Sequence, residues 1–238
     1  AAPGYPLVLG TEPNATLRGA PVIGKDGSIY LAKEDPTGRA LVALGPSGSE
    51  RWSKPLLTGQ SSPALSLDGA RVYVVDDASV LAFEAISGAP AWTFPLAPPV
   101  RAARTLTPTV APDGTIYVVL EEDSTDGGTD TTYTLLGIAP DGSSTPRVRA
   151  PIASGFYSVS IDANPPPAIG KDGSSYVLYV TGVPDGLVAV RPDGSVKWRF
   201  AKGARMNTHA VVADDGTIYT GSDAPAAYAI DPNGAEIW

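Results

Sequence analysis

The chain has 238 residues, 17 of them basic and 25 acidic, for a formal charge of -8. That balance excludes a general nucleic-acid binder, which needs a basic face, and it favours a cationic partner. With no Cys and a single His, disulfides, thiolate metal sites, Cys nucleophiles and His-based zinc clusters have no material.

Hydrophobic residues make up 43%, enough for the core of one large domain. No stretch approaches the roughly 18 consecutive apolar residues of a membrane helix. The chain opens Ala1-Ala2-Pro3-Gly4, which reads as the mature end of an exported protein (periplasmic, cell-surface or secreted) after removal of a leader. Residues 1–17 contain one short strand signal, Leu7-Val8-Leu9. They are expected to form a latch beside Ile237-Trp238, since joining the first and last sheets of a ring removes an open edge.

From Arg18 onward one unit recurs. An Asp-Gly turn stands at Asp26-Gly27, Asp68-Gly69, Asp113-Gly114, Asp172-Gly173 and Asp215-Gly216, at steps of 42, 45, 59 and 43 residues. The short strand before it begins at Pro in four copies (Pro21, Pro63, Pro108, Pro167) and at Ala210 in the fifth; a first strand residue is where the missing N–H of Pro costs least. The strand after it carries Tyr30, Tyr73, Tyr117, Tyr176 or Tyr219, each next to residues suited to a pleated, half-buried surface. A third strand holds a small residue at a fixed place (Ala43, Ala82, Gly137, Ala189, Ala229), expected to permit close approach of sheet to sheet. A second turn with Gly48, Gly88, Gly142, Gly194 or Gly234 follows, and four residues later come Trp52, Trp92, Trp198 and Trp238; in the third unit that place holds Pro146. Four strand signals in a period of forty-odd residues predict an all-β propeller of five four-stranded antiparallel blades. The blades fall at about 18–56, 57–99, 100–152, 160–202 and 205–238, in a five-bladed ring or in part of a larger one.

The unit resembles the pyrroloquinoline-quinone-like repeat of the quinoprotein dehydrogenase-like β-propellers. The resemblance implies radially arranged blades, with Trp52, Trp92, Trp198 and Trp238 as structural residues that dock the outermost strand of one blade on its neighbour. Family enzymes hold the quinone with a vicinal Cys pair in many members, and with a calcium site and an Asp base. Here there is no Cys, and no copy carries a carboxylate-amide-carboxylate calcium cluster. The resemblance therefore implies one of the family's scaffolds, without a cofactor.

The loops entering each first strand approach the axis of such a disc on one face. They carry Arg18, Gln60, Arg104, Thr105, Asn164, Asn207 and His209, and polar groups converging on an axial pocket are the expected ligand-binding set. The hairpins between second and third strands share that face and are acidic: Glu34-Asp35, Asp76-Asp77, Glu121-Glu122-Asp123, Asp185 and Asp223. Such a rim suits a cation or a basic partner. In the longest unit Asp123, Asp126 and Asp130 offer hard oxygen ligands of the kind calcium takes. The leading reading is a non-catalytic binding or assembly scaffold, acidic and exported, whose ligand is a protein, a small molecule or a carbohydrate. Two rivals stay open. One is an enzyme whose axial pocket takes a quinone or sugar, with Asp162 or Asp223 as base. The other is a carbohydrate-binding lectin with a site in each blade.

Overall fold

The computed structural model describes residues 16–57, 61–76, 79–96, 100–101, 107–123, 131–155, 166–179, 186–202, 206, 208–224 and 226–238. Among the described residues every regular element is a strand, and all pairs are antiparallel. The first sheet runs β1 (Thr16–Ile23), β2 (Ile29–Asp35), β3 (Gly38–Leu44), β4 (Glu50–Leu56). The second runs β5 (Ala64–Leu65), β6 (Arg71–Asp76), β7 (Ser79–Glu84), β8 (Pro90–Pro95). In the third, β9 (Val100–Arg101) and β10 (Thr109–Val110) both pair with β11 (Ile116–Asp123), followed by β12 (Thr131–Ile138) and β13 (Val148–Gly155). The fourth holds β14 (Ala168–Ile169), β15 (Ser175–Tyr179), β16 (Gly186–Val190), β17 (Val196–Phe200), and the fifth β18 (Val211–Val212), β19 (Ile218–Ser222), β20 (Ala226–Ile230).

Five consecutive up-and-down sheets are the blades the repeat predicts, and two of them depart from four strands. The third has five because its innermost strand is split into β9 and β10. The fifth has three, its outer strand reduced to an Ile230–Glu236 bridge and the pair of bonds between Ala229 and the Ile237 N–H and Trp238 carbonyl. The first strand also begins at Thr16, inside the segment expected to be a latch; the remainder of that segment, with Leu7-Val8-Leu9, lies outside the described residues.

The Asp-Gly turns form for a local reason. The Gly24 N–H donates to the Ser28 carbonyl at 2.8 Å across Lys25-Asp26-Gly27, the Gly27 N–H donates to the Gly24 carbonyl at 2.9 Å with Gly27 at φ of 79°, and the Asp26 carboxylate accepts the Ser28 N–H at 3.0 Å. An Asp that satisfies the backbone two residues on, followed by a Gly free to adopt positive φ, closes a three-residue hairpin loop. Thr115, Ser174 and Thr217 bond Asp113, Asp172 and Asp215 in the same way.

The core lies between blades. Buried residues of the first and second sheets form one cluster (Tyr30, Leu41, Trp52, Val72, Val74, Phe83), and those of the second and third form the next (Tyr73, Val80, Phe94, Ile116, Leu136, Ile138). The middle strands β15 and β16 bury both faces and are buried throughout, and from Tyr176 onward they read as apolar runs, whereas the outer strands β4, β8 and β17 keep exposed positions.

Candidate functional site

Strand order fixes which residues share an end of the disc. Thr16, at the start of β1, lies opposite Glu34, near the end of β2, so the loop entering a blade and its β2–β3 hairpin stand side by side. Arg18 has its backbone in β1 opposite Ala32. A bulge between Arg18 and Val22 then brings Gly19 and Ala20 onto the second blade, where the Ala20 N–H donates to the Ser62 hydroxyl at 2.8 Å. A Cβ on Gly19 would fall 2.3 Å from that hydroxyl oxygen, and φ there is +69°; only Gly serves at so close an approach. Bulges commonly stand beside functional sites.

His209 is exposed, just ahead of β18. Its neighbour Thr208 accepts the Gly221 N–H at 2.6 Å and so holds the entering loop against β19. Gln60, Arg104, Thr105, Asn164 and Asn207 lie outside the described residues, as do Asp162, Asp126 and Asp130. Asp123 ends β11, with its backbone opposite Thr131. Among the described residues no group of three or more His, Cys, Asp or Glu side chains could hold a metal.

The acidic rim is substantially engaged. Glu34 pairs with Arg39 at 2.9 Å, Asp35 with Lys33 at 3.1 Å, and Glu122 with Arg149. Asp76 accepts the Leu57 N–H at 2.8 Å, Glu122 accepts the Thr134 hydroxyl at 2.5 Å, and Asp223 accepts the Ala224 N–H at 2.9 Å. The Thr37 hydroxyl, then Lys33, then the Thr37 N–H hold the Asp35 carboxyl down to about 2. Asp77 and Asp185 lie outside the described residues.

The opposite end of the first, third and fourth blades repeats a second network that the sequence reading did not single out. Arg51 on β4 donates to Asp26 at 2.8 Å and to the Ser28 hydroxyl at 2.6 Å. Arg147 reaches Asp113 at 3.2 Å and the Thr115 hydroxyl at 2.9 Å, and Lys197 reaches Asp172 at 3.2 Å. The signal was available in part: a basic residue precedes Trp52 and Trp198, and Arg147 joins them only through the strand register that puts Val148 in the Trp place. The second blade has Ala91 there, and Arg71 turns the other way, to Glu84 at 3.4 Å and to the Pro140 carbonyl of the third blade at 2.8 Å. This leaves a groove of about 480 Å³ between the second and third blades, lined by Asp68, Arg71, Tyr73, Glu84, Asp113 and Pro140 among others. Its one guanidinium is thus already satisfied by groups of the wall.

The aromatic rows dock blade on blade. Trp52 donates through Nε1 to the Ala85 carbonyl at 2.9 Å, Trp92 to Pro140 at 3.1 Å and Trp198 to Pro232 at 3.0 Å, in each case a carbonyl of the following blade's turn. The turn Gly lies flat on the indole: a Cβ on Gly88, Gly142 or Gly234 would come within 2.7, 2.4 or 2.7 Å of it. Two expectations are corrected here. Register puts Val148, not Pro146, in the third blade's Trp place, opposite Gly137 as Trp52 is opposite Ala43, because that turn is two residues longer. And the small third-strand residue does not admit a neighbouring sheet. It lies between Tyr and Trp on the same sheet, Ala43 opposite both Tyr30 and Trp52, so the two rings meet above it at 5.9 Å.

The comparisons agree with this geometry. A family model described as outer membrane protein assembly factor BamB matches residues 9–182. No curated protein matches the chain. Among solved structures, BamB from Moraxella catarrhalis superposes with a TM-score of 0.61 at 17% identity, over 92% of this chain and 59% of that one. A quinohemoprotein alcohol dehydrogenase from Pseudomonas putida HK5 gives 0.64 at 14%, over 94% and 43%. Virginiamycin B lyase from Staphylococcus aureus gives 0.64 at 12%, over 95% and 70%. These superpositions show a shared propeller fold, and the chain spans 59% of the BamB structure.

Proposed function

Because the chain belongs to the family described as outer membrane protein assembly factor BamB, we propose that it is a non-catalytic binding and assembly module, exported, which presents its axial-face loops to a protein partner. One observation carries the reading: the chemistry that repeats around the disc is consumed in building it. The turn carboxylates Asp26, Asp113 and Asp172 each serve a backbone N–H two residues on and a basic side chain of the outer strand. The Trp donors serve the seams. What is left to vary between blades is the entering loops, with Arg18, Gln60, Arg104, Thr105, Asn164, Asn207 and His209, and fold alone assigns them no chemistry. No catalytic residue and no cofactor enters this proposal.

The test is binding. Immobilised chain is presented with a urea-solubilised outer-membrane β-barrel polypeptide, diluted to let it bind, and with a charge-matched soluble protein as control. Saturable binding of the first alone, weakened several-fold by Arg104→Ala with Asn207→Ala, is the expected result. Equal binding of both polypeptides, or binding indifferent to the loop substitutions, would overturn it.

A further inference from the structure

The turn Asp of three blades divides its work between its two carboxylate oxygens. At Asp26, Asp113 and Asp172 one oxygen accepts the N–H two residues on. The other accepts a hydroxyl and a basic side chain together: Ser28 with Arg51, Thr115 with Arg147, Ser174 with Lys197. Arg51 and Lys197 are each the extra residue of a bulge beside the Trp, and a bulge re-aims a side chain.

The second blade keeps the turn and the bulge but lacks both partners. Ala70 stands two residues after Asp68, and Ala91 is the extra residue of the bulge beside Trp92. One Asp68 oxygen accepts the Ser66 hydroxyl at 2.6 Å and the Ala70 N–H at 3.0 Å; the other accepts nothing from the described residues. Asp68 lines the groove of about 480 Å³ between the second and third blades, a size ordinary for a ligand site. The lining sets three carboxylates, Asp68, Glu84 and Asp113, against one guanidinium, that of Arg71, which is engaged by Glu84 and the Pro140 carbonyl.

A buried group in the same wall also lacks a partner. At the first seam the Tyr30 hydroxyl donates to the Ala85 carbonyl beside Trp52. At the second seam the Pro140 carbonyl takes Trp92 and Arg71 instead. Tyr73, 1% exposed and lining the groove, is left with a hydroxyl proton that no described residue accepts. Arg71 lies beside that hydroxyl, but a guanidinium only donates. A buried donor without an acceptor is costly to leave so.

We propose that this groove seats a basic residue of a partner protein, whose cation takes the Asp68 oxygen that Arg51, Arg147 and Lys197 fill in the other blades and whose peptide carbonyl takes the Tyr73 proton. The two demands select the occupant. A metal ion or a polyamine offers no acceptor to Tyr73, and an anion meets the carboxylates. An arginine or lysine within a peptide carries both groups, and the formal charge of -8 favours its approach. The site lies at the opposite end of the disc from the axial loops and stands apart from the reading given to them.

The experiment titrates the isotope-labelled full chain with a capped peptide holding one arginine among glycines, and with the same peptide carrying neutral citrulline. Amide shifts at Asp68, Ala70 and Arg71 are the readout. The arginine peptide should give saturable shifts there, and the citrulline peptide should bind about tenfold more weakly or worse, since the charge-assisted bond is lost. Asp68→Asn, which keeps an acceptor for the turn, should weaken the arginine peptide to the same degree, while Asp26→Asn, an equal change of charge at an occupied copy, should leave it unchanged. Tyr73→Phe should weaken it several-fold. Ala91→Arg should displace it, because the chain then supplies the missing side chain itself. The proposal is overturned if the two peptides bind alike, or if Asp26→Asn costs as much as Asp68→Asn. It is also overturned if Ala91→Arg binds as tightly as the original chain, or if millimolar arginine peptide gives no saturable shift.

Discussion

The Ala85 carbonyl oxygen accepts two hydrogen bonds from the preceding blade, one from Trp52 Nε1 at 2.9 Å and one from the Tyr30 hydroxyl at 3.2 Å. One buried acceptor thus takes both aromatic donors across the first seam. Either donor alone keeps the carbonyl satisfied. Tyr30→Phe should therefore cost about 0.5–1.5 kcal/mol, the usual net worth of one such bond, and Trp52→Phe that plus the cost of the void its smaller ring leaves in the buried seam. The double variant should cost more than the sum, because it leaves a desolvated carbonyl unpaired. A double-mutant cycle in urea measures this; strict additivity would mean that water reaches Ala85. Trp52→Ala, which also empties the seam, should cost about 3–5 kcal/mol.

Gly142 and Gly69 both hold positive φ, 73° and 75°, yet their surroundings differ. A Cβ on Gly142 would lie 2.4 Å from the Trp92 ring, while one on Gly69 meets nothing within 4 Å. Gly69→Ala should cost about 1–2 kcal/mol, the left-handed backbone penalty alone. Gly142→Ala should exceed it clearly, since Trp92 must leave the Pro140 carbonyl to make room. Equal midpoints for the two would show that the indole does not rest on the turn.

The turn carboxylates give the fold an acid limit. The Ser28 hydroxyl, then the Ser28 N–H, then Arg51 hold the Asp26 carboxyl well below the usual carboxylate range. At Asp113 burial pushes the other way and is outweighed by the Thr115 N–H and hydroxyl and by Arg147. A carboxyl depressed in the folded state stabilises above its unfolded pKa, and that contribution is lost as pH falls through the folded value. Thermal stability should hold to about pH 5 and decline below about pH 4. In Asp26→Asn the decline should be shallower, because one titrating group has been removed. Melting curves across this range test the sign; a melting temperature that rose on acidification would contradict it.

Addition of pyrroloquinoline quinone with calcium should shift the melting temperature no further than calcium alone, and should give no dye-linked dehydrogenase activity. The chain has no Cys to clamp the ring. A saturable shift specific to the quinone would restore the enzyme reading, since a ligand that binds only the folded state must stabilise it.

Architecture was legible because it is written in turn chemistry and aromatic spacing, both local signals. Asp26-Gly27 closes its hairpin with its own atoms, so the sequence alone predicts it. Counting failed where local geometry stretches: four residues from Gly142 reach Pro146, while the strand register reaches Val148. The purpose of Ala43 was misread because its two ring neighbours come from strands on either side, 13 residues before and 9 after it, and no single window contains the triple. The axial face was the hardest to read. Its residues follow no repeat, and periodicity is silent about positions that vary from blade to blade.

The third seam, between the third and fourth blades, is fastened by a different group. Val148 has no indole to offer, and the fastening between those outer strands runs backward: the Arg199 guanidinium of the fourth blade donates to the Ile152 carbonyl of the third and stands over Tyr179 at 5.9 Å. The first two blades place Ser53 and Thr93 where the fourth places Arg199. Where the third blade has no indole, the fourth supplies a guanidinium. The five copies are not interchangeable modules, and a swap of blades would have to carry Val148 and Arg199 together to leave the join intact.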